Sequence, residues 1–109
     1  MAYNEQLGGR IRRLLADRGD VFERNRFGGL AFMIRGNMFV GVNGDELMVR
    51  VGPDAYDKAL RRKHAREMDF TGRALTGYVY VSADGVRTRA ALMSWLGLCV
   101  AFADSIPPK

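Results

Sequence analysis

At 109 residues, with 48% hydrophobic and 27% charged side chains, the chain is one domain, large enough to build a core without disulfide or metal staples. Its single cysteine, Cys99, excludes an intramolecular disulfide. The N-terminus has no basic-then-apolar signal pattern, so the expected compartment is a reducing cytoplasm. The net charge of +5 comes mostly from arginines. It favours acidic partners at long range, but no recognised nucleic-acid-binding module accompanies it, so a solvated surface is the preferred reading.

In chain order, Asn4 is placed to cap a first helix, with Glu5 in its first turn and Leu7, Ile11, Leu14 and Leu15 at helical spacing. Gly19 marks its end, and residues 21–27 read as a strand that stops at Gly28-Gly29. The run from Phe27 to Val42 then reads as two apolar strands joined at Arg35-Gly36-Asn37, where Gly and Asn tolerate positive φ. Asn43-Gly44 is a second hairpin signal, leading into residues 46–51. Residues 30 to 51 are therefore predicted to form a three-stranded antiparallel meander.

Gly52-Pro53-Asp54 ends the meander and opens a short helix through Tyr56, Ala59 and Leu60. A basic stretch, Arg61-Arg62-Lys63-His64, precedes a short segment at 67–70, a turn at Thr71-Gly72 and a strand at 78–81 rich in β-branched and aromatic residues. Thr88 caps a long last helix whose stripe is Leu92, Trp95 or Leu96, Cys99 and Phe102 or Ala103, and Pro107-Pro108 stops it. Its apolar run, Ala90 to Ala103, falls short of the about 18 to 20 residues that span a bilayer, so no membrane partner is expected. The fold class is α+β: a single domain over residues 1–109, an antiparallel sheet with N-terminal, middle and C-terminal helices. No internal repeat, linker or low-complexity segment interrupts it.

Alternation adds a constraint, because residues two apart share a face of a strand. Leu30, Phe32 and Ile34 face one way and Ala31 and Met33 the other, so both sides are apolar, and the remaining strands repeat this. A sheet covered on one face only would show polar residues on the other. Helices on both faces or a second subunit would supply the missing cover, and with only three helices a homodimer is expected. Met33, Phe39, Met48, Tyr78 and Tyr80 form the candidate second face, while Met93, Leu98 and Val100 lie off the stripe of the last helix. Intramolecular cover by that helix is the competing reading. By the same alternation Arg50 and Asp69 leave the apolar side of their segments together, which makes them a candidate structural ion pair, with a ligand-binding pair as the alternative.

Catalytic and metal signatures do not emerge. His64 sits alone in a basic run, Cys99 lies on the apolar side of a helix without a nearby histidine, and Ser82, Ser94 and Ser105 have no partnering signature. Gly8-Gly9 and Gly28-Gly29 lack the spacing and strand-to-helix context of phosphate loops, and the acidic residues are scattered. No catalytic, metal-binding or cofactor-binding residue is assigned, and no cofactor is expected.

The run Phe27-Gly28-Gly29-Leu30-Ala31-Phe32-Met33, followed by Gly36-Asn37-Met38, resembles the N-terminal domain of the TfoX (Sxy) competence-regulator family. Collinear matches continue through residues 48–53 with Tyr56, residues 68–73, Gly77 to Val81, Trp95 and the ending 101–109. Asn25-Arg26 departs from the Lys-Met that usually precedes Phe-Gly-Gly. Longer members add a C-terminal helical domain associated with transcriptional control, which the sequence through Lys109 lacks. The resemblance implies a non-enzymatic regulatory or interaction module with a protein partner in competence or transcription control. Weak, nonspecific nucleic-acid binding through arginines and a small-molecule-binding or unrecognised enzymatic domain stay open as alternatives.

Overall fold

A computed structural model describes residues 3–26, 28–70 and 73–109. The chain forms α1 (Glu5–Leu14), β1 (Val21–Arg26), β2 (Gly29–Ile34), β3 (Asn37–Asn43), β4 (Glu46–Arg50), α2 (Tyr56–Leu60), β5 (Ala65–Phe70), β6 (Arg73–Val81), a 3-10 turn (Ala83–Val86) and α3 (Arg89–Ser105). All strand pairings are antiparallel, in the order β1-β2-β3-β4-β6-β5. The single-domain α+β architecture predicted from the sequence is the one observed.

Local signals explain the boundaries. The Asn4 side chain accepts from the Leu7 N–H at 3.1 Å, and the Thr88 hydroxyl accepts from the Ala91 N–H at 3.1 Å, so each cap satisfies an otherwise unpaired helix donor. The first helix ends at Leu14, one turn before Gly19. The β2–β3 turn is the two residues Arg35 and Gly36, with φ of 49° and 84°. Positive φ at both positions matches the twist of flanking strands. Asn37 is thereby freed from the turn to begin β3. Its amide donates to the Pro107 carbonyl at 3.0 Å, while the Lys109 N–H donates to the Arg35 carbonyl at 2.9 Å. These bonds dock the C-terminal tail on the β2–β3 turn.

The helices all pack on one face of the sheet. There Leu7 and Ile11 from α1, Tyr56 and Ala59 from α2, and Leu92, Trp95, Leu96 and Cys99 from α3 meet Phe32, Val40, Val42, Leu47, Val49, Val79 and Val81. No helix among the described residues is long and apolar enough to cross a membrane.

Two irregularities shape the other face. Between Phe32 and Met33 the β2–β3 register shifts, so that Phe39 is the extra residue of a bulge and both it and Val40 join the helix-side core. Between Glu67 and Asp69 the β5–β6 register slips further: one residue, Met68, stands against residues 75–78 of β6, where Gly77 has a φ of 93°.

Candidate functional site

The helix-free face reads across the sheet as a row of paired positions: Arg24, Ala31, Gly41, Met48, Tyr80 and Arg66. Small residues in the middle leave a depression. At Gly41 a Cβ would lie 2.7 Å from the Leu30 carbonyl oxygen and 2.8 Å from the Met48 methyl, so this close approach requires glycine. Beside the row, Phe22 pairs with Met33, Met33 with Met38, and Arg50 with Tyr78. Met48, Met68 and Tyr80 form a second apolar cluster, with Met38, Leu75 and Tyr78 packed against it.

Long side chains close this face where no helix does. The Arg66 guanidinium lies 4.5 Å from the Tyr80 ring centre and pairs with Glu46. Asn43 donates to the Tyr80 hydroxyl at 3.3 Å. Arg50 lies 5.3 Å from the Tyr78 ring centre and 5.2 Å from that of Phe102, within the range of cation–π attraction. Between Met38, Met48, Met68, Leu75 and Tyr78 opens a pocket of about 200 Å³, with Met33, Asn37, Arg50 and Lys109 completing its wall. Four of the chain's six methionines thus meet at one place.

The expected site residues divide between the two faces. Met48, Arg50, Tyr78 and Tyr80 are together on the helix-free side. Phe39, expected with them, is fully buried in the helix-side core, because the bulge reverses the parity of β3 and gives its place to Met38. Asp69 is exposed in β5 and forms no ion pair with Arg50. Met68, the apolar neighbour of Asp69, packs with Met48 and Tyr80 rather than with Val49 and Val51, so the two residues do not leave a common apolar side. Trp95 belongs to the helix-side core, with the Arg62 guanidinium 4.1 Å from its ring centre. Leu98 is half-buried and lines a groove between α2 and α3 with Ala55, Lys58, Ala59 and Arg62. Gly28 has a φ of 76°, which suits glycine; Gly29 opens β2 and is buried. Phe27 and the expected turn at Thr71-Gly72 lie outside the described residues. Met38, Met68 and Leu75 were not singled out from the sequence; the density of methionines between residues 33 and 68 was the available signal for the first two, and Leu75 had none.

Among the described residues, five of the fourteen arginines are engaged in ion pairs within the molecule. Arg12 pairs with Glu23, Arg18 with Asp20 and Asp104, Arg66 with Glu46, and Arg87 with Asp84. Arg35 lies 3.8 Å from Asp20 and Asp104 and donates to the Ala103 carbonyl. Hydrogen bonds from Arg18 hold both Asp20 and Asp104 below the usual carboxylate range. A remaining basic groove lies between α1 and α3, lined by Arg10, Arg13 and Arg89 with Leu14 and Leu92. Arg10 is tied there by a 2.7 Å hydrogen bond to the Val86 carbonyl.

Burial pushes the Cys99 thiol up to about 12, which removes the thiolate a nucleophile needs. His64 is exposed. No group of histidine, cysteine and acidic side chains with metal-holding geometry occurs among the described residues.

A search of curated proteins and a search of solved structures each returned no match. The family model of the TfoX N-terminal domain matches residues 13–103, a span that includes all six strands and most of α3. The chain belongs to the TfoX N-terminal domain family.

Proposed function

We propose that the chain is a non-enzymatic regulatory module that acts in the cytoplasm by protein contact, with a partner in transcription control and with a second copy of itself. The observation that carries this reading is the helix-free face, a row of methionine and tyrosine side chains bordered by arginines. Methionine is adaptable and recurs at surfaces that accommodate partners, and tyrosine and arginine are enriched at interfaces. Phe22, 66% exposed on edge strand β1, extends the same face to the sheet margin. Family membership supports a regulatory type of role.

Self-association is tested by light scattering on the full chain. The wild type should form a dimer in the micromolar range, and Phe22→Asp should give a monomer with an unchanged circular dichroism spectrum. A wild-type chain that stays monomeric at high micromolar concentration would refute the dimer.

The groove of Arg10, Arg13 and Arg89 favours a second reading, weak nucleic-acid binding through phosphates alone. Such binding carries no sequence information and falls steeply with salt. Fluorescence anisotropy on unrelated duplexes at about 50 and 200 mM salt, the range over which phosphate-driven binding collapses, tests it. Tight, sequence-selective binding at the higher salt would contradict it.

A further inference from the structure

We infer that the methionine pocket binds a compact apolar carboxylate, about one ring in size, with Arg50 as its counter-ion. This goes beyond the module's protein contacts and does not depend on them.

Size and lining set the body of the ligand. An engineered apolar cavity of about 150 Å³ holds benzene, and the pocket here is about 200 Å³. It therefore takes one ring and a small substituent, below the about 300 to 1,000 Å³ typical of drug-sized ligands. Met38, Met48, Met68 and Leu75 supply an apolar wall, and unbranched thioether side chains can close around ligands of differing outline.

Charge sets the polar end. Arg50 is half-buried, and among the described residues it has neither a carboxylate partner nor a hydrogen-bond acceptor. In this it differs from the five arginines that form ion pairs. Tyr78 and Phe102 hold its guanidinium by their rings, an attraction that leaves the in-plane N–H donors available. Among the described residues no aspartate or glutamate lines the pocket, and Lys109 is the other charged residue of its wall. A guanidinium fork and a carboxylate match in two parallel hydrogen bonds, so a carboxylate satisfies both the charge and the donors.

The test uses the full chain carrying ¹³C in its methionine methyl groups, titrated with benzoate and, separately, with benzamide, its neutral counterpart of the same size. Benzoate should shift the Met38, Met48 and Met68 methyl signals saturably at millimolar concentration while leaving that of Met93, exposed on α3, in place. Benzamide should bind roughly tenfold to a hundredfold more weakly, the range expected for charge-assisted hydrogen bonds. Arg50→Gln should abolish this preference and Arg50→Lys should retain part of it. Equal binding of benzoate and benzamide to the wild type, or no saturable shift at the pocket methionines, would overturn the inference even if the Arg50 variants failed to fold.

Discussion

On the helix-covered face of the sheet, Val40, Val42, Leu47, Val49, Val79 and Val81 are removed from solvent by three helices. On the opposite face Met33, Met48 and Tyr80 are almost as buried, although no helix lies over them. The first face is largely β-branched valine, stiff at χ1, with Phe32 and Phe39 in the same core. The second is built from thioethers, phenol rings and the stems of arginines, which cover apolar surface while keeping their charge at the solvent boundary. Burial of these side chains is thus reached by two different means. Substitutions on the first face should act mainly on folding, and substitutions on the second mainly on binding.

Adjacent residues of β3 give the largest contrast. Phe39→Ala removes a fully buried ring from the helix-side core and should cost about 3 to 5 kcal/mol in urea unfolding. Met38→Ala, half-buried on the other face, should cost about 1 kcal/mol, near the centre of the distribution for point changes. A reversed order would mean that the bulge does not exist in solution. Next comes Gly41→Ala, about 1 to 3 kcal/mol destabilising because the added methyl meets main-chain oxygen of β2 as well as the Met48 methyl. Gly97→Ala is its counterpart in α3, where nothing lies within 4 Å of the new Cβ. Helix propensity should make that change stabilising by up to about 1 kcal/mol.

A smaller effect is expected from acid. Asp20 and Asp104 are held below their ordinary value of 3.8, first by hydrogen bonds from Arg18 and also by its charge. A carboxyl that ionises more readily when folded contributes stability above its unfolded value and loses it as pH falls through 3.8 toward the lower folded value. Arg18→Gln should therefore flatten the decline of the thermal midpoint between about pH 5 and pH 3. An unchanged pH profile would show that the cluster does not bear on folding. The smallest effect should be Tyr56→Phe, since the buried hydroxyl finds no hydrogen-bond partner among the described residues. Its removal should leave the urea midpoint unchanged or raise it slightly.

The helices, their caps and the two-sided apolar character of the strands were legible because each has a local chemical marker: Asn4, Thr88, Gly36, Gly44 and the alternation in β2. The second face was legible in outline for the same reason. Its membership was not, because Met38, Phe39 and Val40 are all apolar and no polar residue in that run fixes which way each points. The Arg50–Asp69 pair failed on the same kind of ground. Each residue alternates with apolar neighbours, but Val49 and Val51 beside Arg50 belong to the helix-side core whereas Met68 beside Asp69 belongs to the cluster on the other face, so the two apolar sides are not one side. Nor did composition indicate that all three helices would lie on one side, or that arginines stacked on Tyr78 and Tyr80 would cover the other. Both follow from contacts between segments distant in sequence.

The central claim, that the helix-covered face holds the fold and the methionine–tyrosine face makes the contacts, is tested most directly in a native lysate. Methionine-methyl ¹³C spectra of the labelled chain would be recorded with increasing amounts of unlabelled lysate. Met33, Met38, Met48 and Met68 report on one face, and Met93, on the outer side of α3, reports on the opposite side of the molecule. The account predicts selective broadening or shifts of the first four signals while Met93 remains sharp. Broadening confined to Met93, or equal for all five, would contradict it.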